Sequence, residues 1–325
     1  MKKLSLLFLA TFLLLGIVAG CSKDDKTTEN TAAKSIEQQA TQSDKEEQTT
    51  DTAWPRTITD AADNEITLEA KPTKVAVLHP LYMDYLFALE ETPYASTSAA
   101  ESLEDYETLA PFKEEEVIDL GSGREANLEM IAQAQPDIII AFKGQVDKNY
   151  DSLVKIAPVI QIDYTDTWQN TTRFIAALVG KESLADEYIA ETEELVNETR
   201  TKLGDKMDKT FAVLRADGKD FIAQGSKNAV YYKEDSFGLK APELYPEEAE
   251  ALSLEGLGEM NPDYIIVQHD EKVAEATIAN VASLQTWQSL DAVKNNHVYI
   301  YNGSLNSASI LAVRVIAQKL MDIED

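Results

Sequence analysis

The sequence predicts an α/β fold in which two similar lobes are joined by one long helix. A phrase that occurs twice predicts the lobes: residues 127–140 read NLEMIAQAQPDIII, and residues 253–266 read SLEGLGEMNPDYII. A stretch with helical spacing of apolar residues, 167–206, lies between the two copies and predicts the connection.

Each copy of the phrase encodes the same local structure. A helix-capping residue, Asn127 or Ser253, precedes Leu and Glu, and Pro-Asp follows the Glu at the same interval in both copies. The proline ends the helix at the preceding residue, and the apolar run after it predicts a buried strand. Two copies of cap, two-turn helix, turn and strand therefore indicate two related lobes.

The connecting stretch predicts a rigid rod. Between residues 167 and 206 there is no proline, and only Gly180 and Gly204 interrupt the pattern. Ser183 is the predicted cap of a helix over 184–203, whose outer face carries mostly Glu, Asp and Thr. A helix of about 20 residues would span about 30 Å.

Apolar runs and their breaks predict the remaining elements. The N-terminal lobe is predicted over 54–166 and the C-terminal lobe over 207–325. The former opens with a hairpin, and the latter closes with a helix over 309–321. The predicted strands lie at 75–78, 94–97, 117–120, 138–142, 159–162, 211–215, 221–223, 264–267 and 298–301. Short strands that alternate with helices imply mainly parallel sheets covered by helices.

Composition restricts the partners. The chain has 325 residues, of which 44% are hydrophobic, so it can bury a large core. Its formal net charge of -28 excludes a nucleic-acid-binding protein, which needs a basic face. The same charge disfavours direct contact with an anionic membrane surface.

The first residues predict export and a lipid anchor. Lys2 and Lys3 precede an apolar stretch over 4–18, and small residues lead to Cys21, the single cysteine of the chain. This pattern resembles a bacterial lipobox, in which the cysteine is lipidated after cleavage. Residues 1–20 are then the signal peptide, and the polar segment 21–53 is a disordered tether. An uncleaved membrane anchor is the alternative.

The order and spacing of several motifs resemble one family of receptors. The marks are the hairpin before Lys71-Pro72, the first repeated phrase, and the run KIAPV at 155–159, followed by Trp168, LVGK at 178–181 and Trp287. Together they resemble the substrate-binding lipoproteins of ABC importers for ferric siderophores, haem and cobalamin. The resemblance implies two Rossmann-like lobes joined by a single long helix, with the ligand cleft between the lobes. It also implies a monomer at the outer face of a Gram-positive-type cell membrane.

The resemblance assigns a role to the two repeated glutamates. In relatives, one glutamate on each lobe docks an arginine of the permease dimer, and the matching positions here are Glu129 and Glu255. A competing explanation needs no partner, because a carboxylate in the first turn of a helix is stabilised by the helix dipole by about 0.3–1 kcal/mol. The two roles are compatible.

Candidate ligand contacts follow the ends of predicted strands, where α/β sheets bind ligands. They are His79, Tyr82, Arg124, Lys143, Arg215, Tyr231 and Tyr232, with Asn306 as a further candidate. A guanidinium can donate two parallel hydrogen bonds to hydroxamate, catecholate or carboxylate oxygens. Arg124 stands one residue from the position of the arginine in hydroxamate-binding relatives. Asp217 replaces a second arginine of some relatives, which disfavours a highly anionic tris-catecholate ligand.

The sequence predicts a binding protein that captures a ferric siderophore of the hydroxamate or mixed carboxylate type. No nucleotide-binding loop, serine-nucleophile motif or zinc-protease motif is present, so we predict no catalytic residues, no cofactor and no dedicated metal site. Haem or cobalamin remains an alternative ligand, and His79 is a candidate ligand of haem iron. A secreted two-lobed enzyme or an adhesion module is the alternative from another class.

Overall fold

A hairpin and two five-stranded sheets organise the part of the chain that the computed structural model describes, residues 54–122 and 127–324. The hairpin pairs β1, Arg56–Thr59, with β2, Glu65–Leu68, in antiparallel register, as the sequence predicts. The predicted signal peptide, the tether with Cys21, and Arg124 lie outside the described residues.

The first sheet is entirely parallel. Its strand order is β5-β4-β3-β6-β7. These strands are β3 (Val75–Val77), β4 (Ala95–Ser96), β5 (Ile118–Asp119), β6 (Ile138–Phe142) and β7 (Val159–Ile162). The helices of this lobe are α1 (Leu81–Ala88), α2 (Ala99–Asp105), α3 (Leu128–Ala134) and α4 (Tyr150–Leu153), with a 3₁₀ helix at Glu107–Phe112.

Two consecutive helices connect the sheets. Helix α5, Trp168–Val179, ends at Gly180 in the left-handed conformation with φ of 66°, and α6, Glu182–Leu203, follows almost at once. The 22 residues of α6 correspond to a rod of about 33 Å. The predicted cap at Ser183 is wrong, because the left-handed Gly180 reverses the chain early enough for α6 to begin at Glu182.

The second sheet repeats the order of the first, with one reversal. Its order is β10-β9-β8-β11-β12, and β9 runs antiparallel to both neighbours. The strands are β8 (Phe211–Ala216), β9 (Phe221–Ala223), β10 (Glu250–Leu252), β11 (Tyr264–Gln268) and β12 (Val298–Tyr301). The helices are α7 (Ala229–Tyr232), α8 (Leu254–Met260), α9 (Glu271–Val281), α10 (Gln285–Ser289), α11 (Asp291–Lys294) and α12 (Ile310–Met321), with a 3₁₀ helix at Gly303–Ser307.

Both sheets therefore have the strand order of the Rossmann fold, in which the first strand lies at the centre and the direction of winding reverses beside it. That reversal falls between β3 and β6 in the N-terminal lobe and between β8 and β11 in the C-terminal lobe. The predicted fold class is confirmed. The residue limits of the individual domains stay predictions.

One apolar core runs through both lobes. It joins Ile140 of the first sheet and Ile266 of the second with Ile189 and Val196 of α6 and Ile316 of α12, all of them buried. Two smaller clusters cover the other face of each sheet. Arg314 of α12 donates to Thr192 Oγ1 of α6 at 3.0 Å, so the last helix of the chain is fixed to the connecting helix.

The duplicated phrase folds identically in the two lobes. Asn127 Oδ1 accepts from the Met130 amide at 3.2 Å, and Ser253 Oγ accepts from the Gly256 amide at 3.0 Å, which confirms both predicted caps. The residues before the two prolines, Gln135 and Asn261, are left-handed, with φ of 50° and 40°. Each repeat thus ends its helix by the same backbone turn.

The aspartate that follows each proline ties the repeat to the central strand of its sheet. Asp137 Oδ2 accepts from the Thr73 amide at 2.7 Å and from Thr73 Oγ1 at 2.9 Å. Asp263 Oδ2 accepts from the Thr210 amide and from Thr210 Oγ1, both at 2.8 Å. The Pro-Asp pair is therefore part of the fold in both lobes. None of the helices in the described part of the chain combines the length and the apolarity needed to cross a membrane.

Candidate functional site

Three adjoining cavities lie along the carboxyl ends of the strands. The largest, here the main cleft, has a volume of about 670 Å³ and is lined from the N-terminal lobe, including His79 and Ser98. A side chamber of about 420 Å³ lies between the lobes, and Phe142 lines both it and the main cleft. An end pocket of about 360 Å³ shares Tyr106 with the main cleft. The three cavities therefore follow one another along the boundary between the lobes.

His79 stands at the switch point of the first sheet, two residues after the end of β3 and beside Phe142. Their ring centroids are 4.8 Å apart. His79 Nδ1 accepts from the Leu81 amide at 3.2 Å, and burial lowers the pKa of the imidazole. In the neutral ring the proton is therefore on Nε2, which makes His79 a hydrogen-bond donor toward the main cleft.

Tyr82 lines the side chamber from the first turn of α1. Its side chain is only 1% exposed, and its hydroxyl has no hydrogen-bond partner among the described residues. Burial, with smaller contributions from Tyr85 and Asp163, raises the pKa of the phenol, so the hydroxyl stays protonated. A buried hydroxyl without a partner costs free energy, and a bound ligand would relieve that cost.

Lys143 and Arg215 are exposed cations at the ends of central strands. Lys143 directly follows β6, and its charge adds to the hydrogen bonds from Thr165 that lower the pKa of Asp163. Arg215 is in register with Gln268 on β11. Its charge adds to the backbone hydrogen bonds from Asp220 and Lys219 that lower the pKa of Asp217. Within the described residues neither cation forms a hydrogen bond through its side chain or an ion pair. Both remain available to a ligand, although neither lines one of the three cavities.

Tyr231 and Tyr232 lie inside the C-terminal lobe and not in the cleft. Tyr231 is 1% exposed, and its hydroxyl accepts from Gln268 Nε2 at 2.6 Å. The hydroxyl of Tyr232 donates to the Phe211 carbonyl at 2.9 Å and accepts from the Val213 amide at 3.1 Å. These bonds fix α7 to the second sheet, and the rings do not line the cavities. Asn306, the further candidate, accepts from Gln224 Nε2 at 2.8 Å.

Part of the cavity lining is not among the candidates that the sequence predicts. Phe142, the residue shared by the main cleft and the side chamber, ends a predicted strand, and Asp163 and Trp168 are likewise not predicted as ligand contacts. Asp163 directly follows β7, so the rule that selected Lys143 after β6 would also have selected it. No sequence signal indicates that Trp168 borders a cavity, since a tryptophan at the start of a helix can equally well be part of a core.

Glu129 and Glu255 occupy equivalent positions in the two lobes. Each lies in the first turn of its helix, α3 or α8, and each is exposed. In the described part of the chain neither carboxylate forms a hydrogen bond or an ion pair. Both charges are therefore free to meet a partner, in addition to their favourable interaction with the helix dipole.

Polar contacts join the lobes beside the cavities. Asn302 Nδ2 donates to the Asp105 carbonyl at 3.0 Å, and Lys319 pairs with Glu107 at 2.9 Å. Ser309, the cap of α12, donates a short hydrogen bond to Asp84 of α1. Complete burial raises the pKa of Asp84 to about 7, although the hydrogen bond from Ser309 opposes the shift.

Comparison with known proteins identifies the relatives of this chain. A family described as "Periplasmic binding protein" matches residues 75–305. The iron-uptake system-binding protein of Bacillus subtilis is 34% identical over 194 residues, which cover 55% of this chain and 59% of that protein. The probable siderophore-binding lipoprotein YfiY of the same organism is 27% identical over 265 residues, covering 75% of this chain and 79% of the relative.

The fold agrees with a solved structure from the same group. The triscatecholate siderophore binding protein FeuA of Bacillus subtilis, in complex with ferri-bacillibactin, superposes with a TM-score of 0.66 at 26% identity. The match covers 82% of this chain and 98% of that one. These relatives are named as binding proteins and not as enzymes, which confirms the predicted class of protein and the resemblance on which it was based.

Proposed function

This chain belongs to the periplasmic binding protein family, and we propose that it is a lipid-anchored receptor that captures a ferric siderophore and delivers it to an ABC permease. The ferric complex is the ligand that is transported, and the protein itself uses no cofactor. Two of the relatives described above are named for iron uptake and for siderophore binding, which supports the ligand class.

The observation that carries this proposal is the pair of exposed cations at the strand ends. Lys143 and Arg215 belong to different lobes and have no hydrogen-bonding or ion-pairing partner for their side chains among the described residues. A guanidinium and an ammonium in such positions can donate to the oxygen atoms that surround a chelated iron. On a chain with a net charge of -28, two exposed cations at the ends of strands favour an oxygen-rich ligand.

The acidic groups near the cavities favour a ferric chelate of small net charge. Glu101 lines the main cleft, Asp163 and Asp166 line the side chamber, and Asp217 neighbours Arg215. Three hydroxamates cancel the charge of Fe³⁺, whereas three catecholates leave a trianion that these carboxylates would repel. The balance of charge supports a hydroxamate or mixed carboxylate siderophore over a tris-catecholate.

A titration of intrinsic fluorescence tests the ligand class. Trp168, 8% exposed, lines the side chamber, so a coloured ferric complex bound nearby should quench its emission. We expect quenching by a ferric tris-hydroxamate or a ferric carboxylate at lower concentration than by a tris-catecholate, haem or cobalamin. If haem or cobalamin binds most tightly, the proposal of a siderophore ligand is wrong and the alternative ligand is correct.

Arg215→Ala tests the contact that carries the proposal. The loss of one charge-assisted hydrogen bond should weaken binding of the preferred chelate by about 1.5–3 kcal/mol. Lys202→Ala, which removes an exposed cation from α6, is the matched control and should leave affinity unchanged. Equal affinities of the two variants for the chelate would show that Arg215 does not contact the ligand.

Cys21 is the proposed point of attachment to the membrane. The name of the relative YfiY as a lipoprotein supports this location. Attached acyl chains would supply the membrane affinity, so Cys21→Ser should release the protein into the medium or leave it unprocessed. A serine variant that is processed normally and remains in the membrane fraction would contradict the lipid anchor.

A further inference from the structure

The side chamber has a chemical character of its own. Its wall combines aromatic rings with carboxylates: Tyr82, Phe142 and Trp168 on one hand, and Asp163 and Asp235 on the other. Two further carboxylates, Asp166 and Glu193, complete the acidic side. Two cations also line the chamber, Arg173 and Lys233.

The cations do not neutralise the chamber. Arg173 Nε donates to Asp186 at 2.9 Å, and Asp186 does not line the chamber. Only Lys233 then faces the four carboxylates, so the chamber is net negative. Acidic residues that line a cavity are often no more than a solvated surface.

Tyr82 distinguishes this chamber from such a surface. The residue lines the chamber, and its buried hydroxyl lacks a hydrogen-bond partner among the described residues. A phenol oxygen can accept a hydrogen bond from an ammonium group while its own proton remains in place. The neighbouring aromatic faces attract the same cation, and the apolar side chains of Ile162 and Phe142 suit an alkyl chain.

We infer that the side chamber binds a protonated alkylamine arm of the siderophore, while the iron centre lies in the main cleft. This inference rests on the proposed function and specifies the ligand further: a ferric chelate whose backbone carries a terminal ammonium. Phe142 lines both cavities, so the two adjoin at this residue. The arm donates a hydrogen bond to the Tyr82 hydroxyl and lies in the field of Asp163 and Asp235, without changing the coordination of the iron.

A matched pair of ligands tests the inference. A linear ferric tris-hydroxamate with a free terminal amine is compared with its N-acetyl derivative, which has the same iron centre and no charge on the arm. Wild type should bind the amine form about tenfold more tightly, a difference typical of one charge-assisted contact. Added salt should reduce the difference because it screens the carboxylates.

Variants assign the difference to the chamber. Tyr82→Phe and Asp235→Asn should each lower the ratio of the affinities for the amine form and the acetylated form. Asp235 forms no hydrogen bond or ion pair within the described residues, so its replacement should not disturb the fold. Glu275→Gln, an exposed carboxylate of α9 outside the chamber, is the control and should keep the full preference. Thermal unfolding of each variant verifies that it is folded.

The outcomes separate this inference from the function on which it rests. Equal affinity of wild type for the two chelates, or tighter binding of the acetylated form, would overturn the ammonium site and leave the siderophore receptor intact. Binding of neither chelate would overturn both. A preference that persists in Tyr82→Phe and in Asp235→Asn would place the recognition of the amine elsewhere and so overturn the assignment to this chamber.

Discussion

The two lobes use the same phrase and surround it differently. In the C-terminal lobe, Asn261 exchanges two hydrogen bonds with Asp291 at the start of α11, at 2.8 and 2.9 Å. Gly258 allows α10 to approach closely, since an added Cβ would stand 2.8 Å from Thr286 Cγ2. In the N-terminal lobe the equivalent residues are Gln135 and Ala132, and no helix is bonded to the phrase in this way among the described residues.

This difference distinguishes the residues of the repeated phrase that are structural from those that serve another purpose. The caps, the left-handed turn and the Pro-Asp contact recur in both lobes, so each is needed to close its sheet. The packing against the outer side of the helix does not recur. The exposed glutamate recurs although no described contact in either lobe uses it, which is the pattern expected of a pair of docking charges.

The largest effect is expected when both exposed glutamates of the repeated phrase are removed. Glu129→Ala combined with Glu255→Ala should leave siderophore affinity and folding nearly intact and reduce uptake by about tenfold or more, because an interface loses two charges that fix its register. Each single variant should be intermediate. Uptake by cells and fluorescence titration of the purified protein measure the two effects. Normal uptake by the double variant would leave both glutamates with only their helix-start role, and loss of ligand binding would place them in the cleft.

The next effect concerns Asp84, where the lobes meet. Its pKa in the folded protein is about 7, above the ordinary value of 3.8. The stability that this carboxyl contributes is therefore fully present below about pH 4 and is lost as the pH rises through 7, at about 1.4 kcal/mol per unit of displaced pKa.

Asp84→Asn should remove that pH dependence, since the amide does not titrate. Urea unfolding of both proteins at pH 5 and pH 8 measures this dependence. The free energy of unfolding of wild type, relative to that of the variant, should be lower at pH 8 than at pH 5. The control Glu275→Gln should follow wild type. An unchanged difference between wild type and Asp84→Asn at the two pH values would show that Asp84 is ionised throughout.

A smaller effect distinguishes the Pro-Asp contacts of the two lobes. Asp137 also accepts from the Lys74 amide at 2.9 Å, a donor for which Asp263 has no counterpart. Desolvation acts to raise the pKa of Asp137, but the hydrogen bonds from Thr73 and Lys74 outweigh it and the pKa is lowered. The stability from this group is thus present at neutral pH and is lost as the pH falls through the lowered value.

Alanine variants measure that contrast. Asp137→Ala and Asp263→Ala should each destabilise the protein by about 1–3 kcal/mol, with the larger loss for Asp137. Thr73→Val and Thr210→Val are the controls that remove the hydroxyl donors and should have smaller effects. The effect of Thr210→Val should be the larger of the two, because the Thr210 hydroxyl also accepts from the Asp263 amide at 3.0 Å. A larger loss for Asp263→Ala would mean that the packing of α10 and α11, and not the hydrogen bonds, sets the strength of the repeat.

The smallest effect comes from transferring a residue between the repeats. Gly258→Ala gives α8 the residue type that Ala132 provides at the equivalent position of the N-terminal repeat. The gain of about 1 kcal/mol in helix propensity there opposes the clash of the new Cβ with Thr286. We expect little net change in the free energy of unfolding. Adding Thr286→Ser removes the clashing methyl group and should recover most of the gain. If Gly258→Ala alone stabilises the protein, the side chain of Thr286 moves away from the new Cβ with no loss of stability.

The sequence predicted the repeated units and the connecting helix because their signals are local. Caps at Asn127 and Ser253, a proline nine residues after each cap and an apolar run lie within one short window. The cavities could not be predicted in this way. Tyr82, Asp163 and Asp235 form one chamber although they lie on different elements of the two lobes. Tyr231 shows the same limit, since a tyrosine near a strand end reads alike in a cleft and in a core.

Helix α12 contributes to the interior of both lobes. It belongs to the C-terminal lobe by sequence, yet Ile316 and Leu320 complete the core that also holds α1 and α6. The N-terminal lobe therefore lacks part of its interior until α12 has been synthesised. The order of synthesis and the order of folding are separated, and the lobes should unfold in a single cooperative transition instead of two.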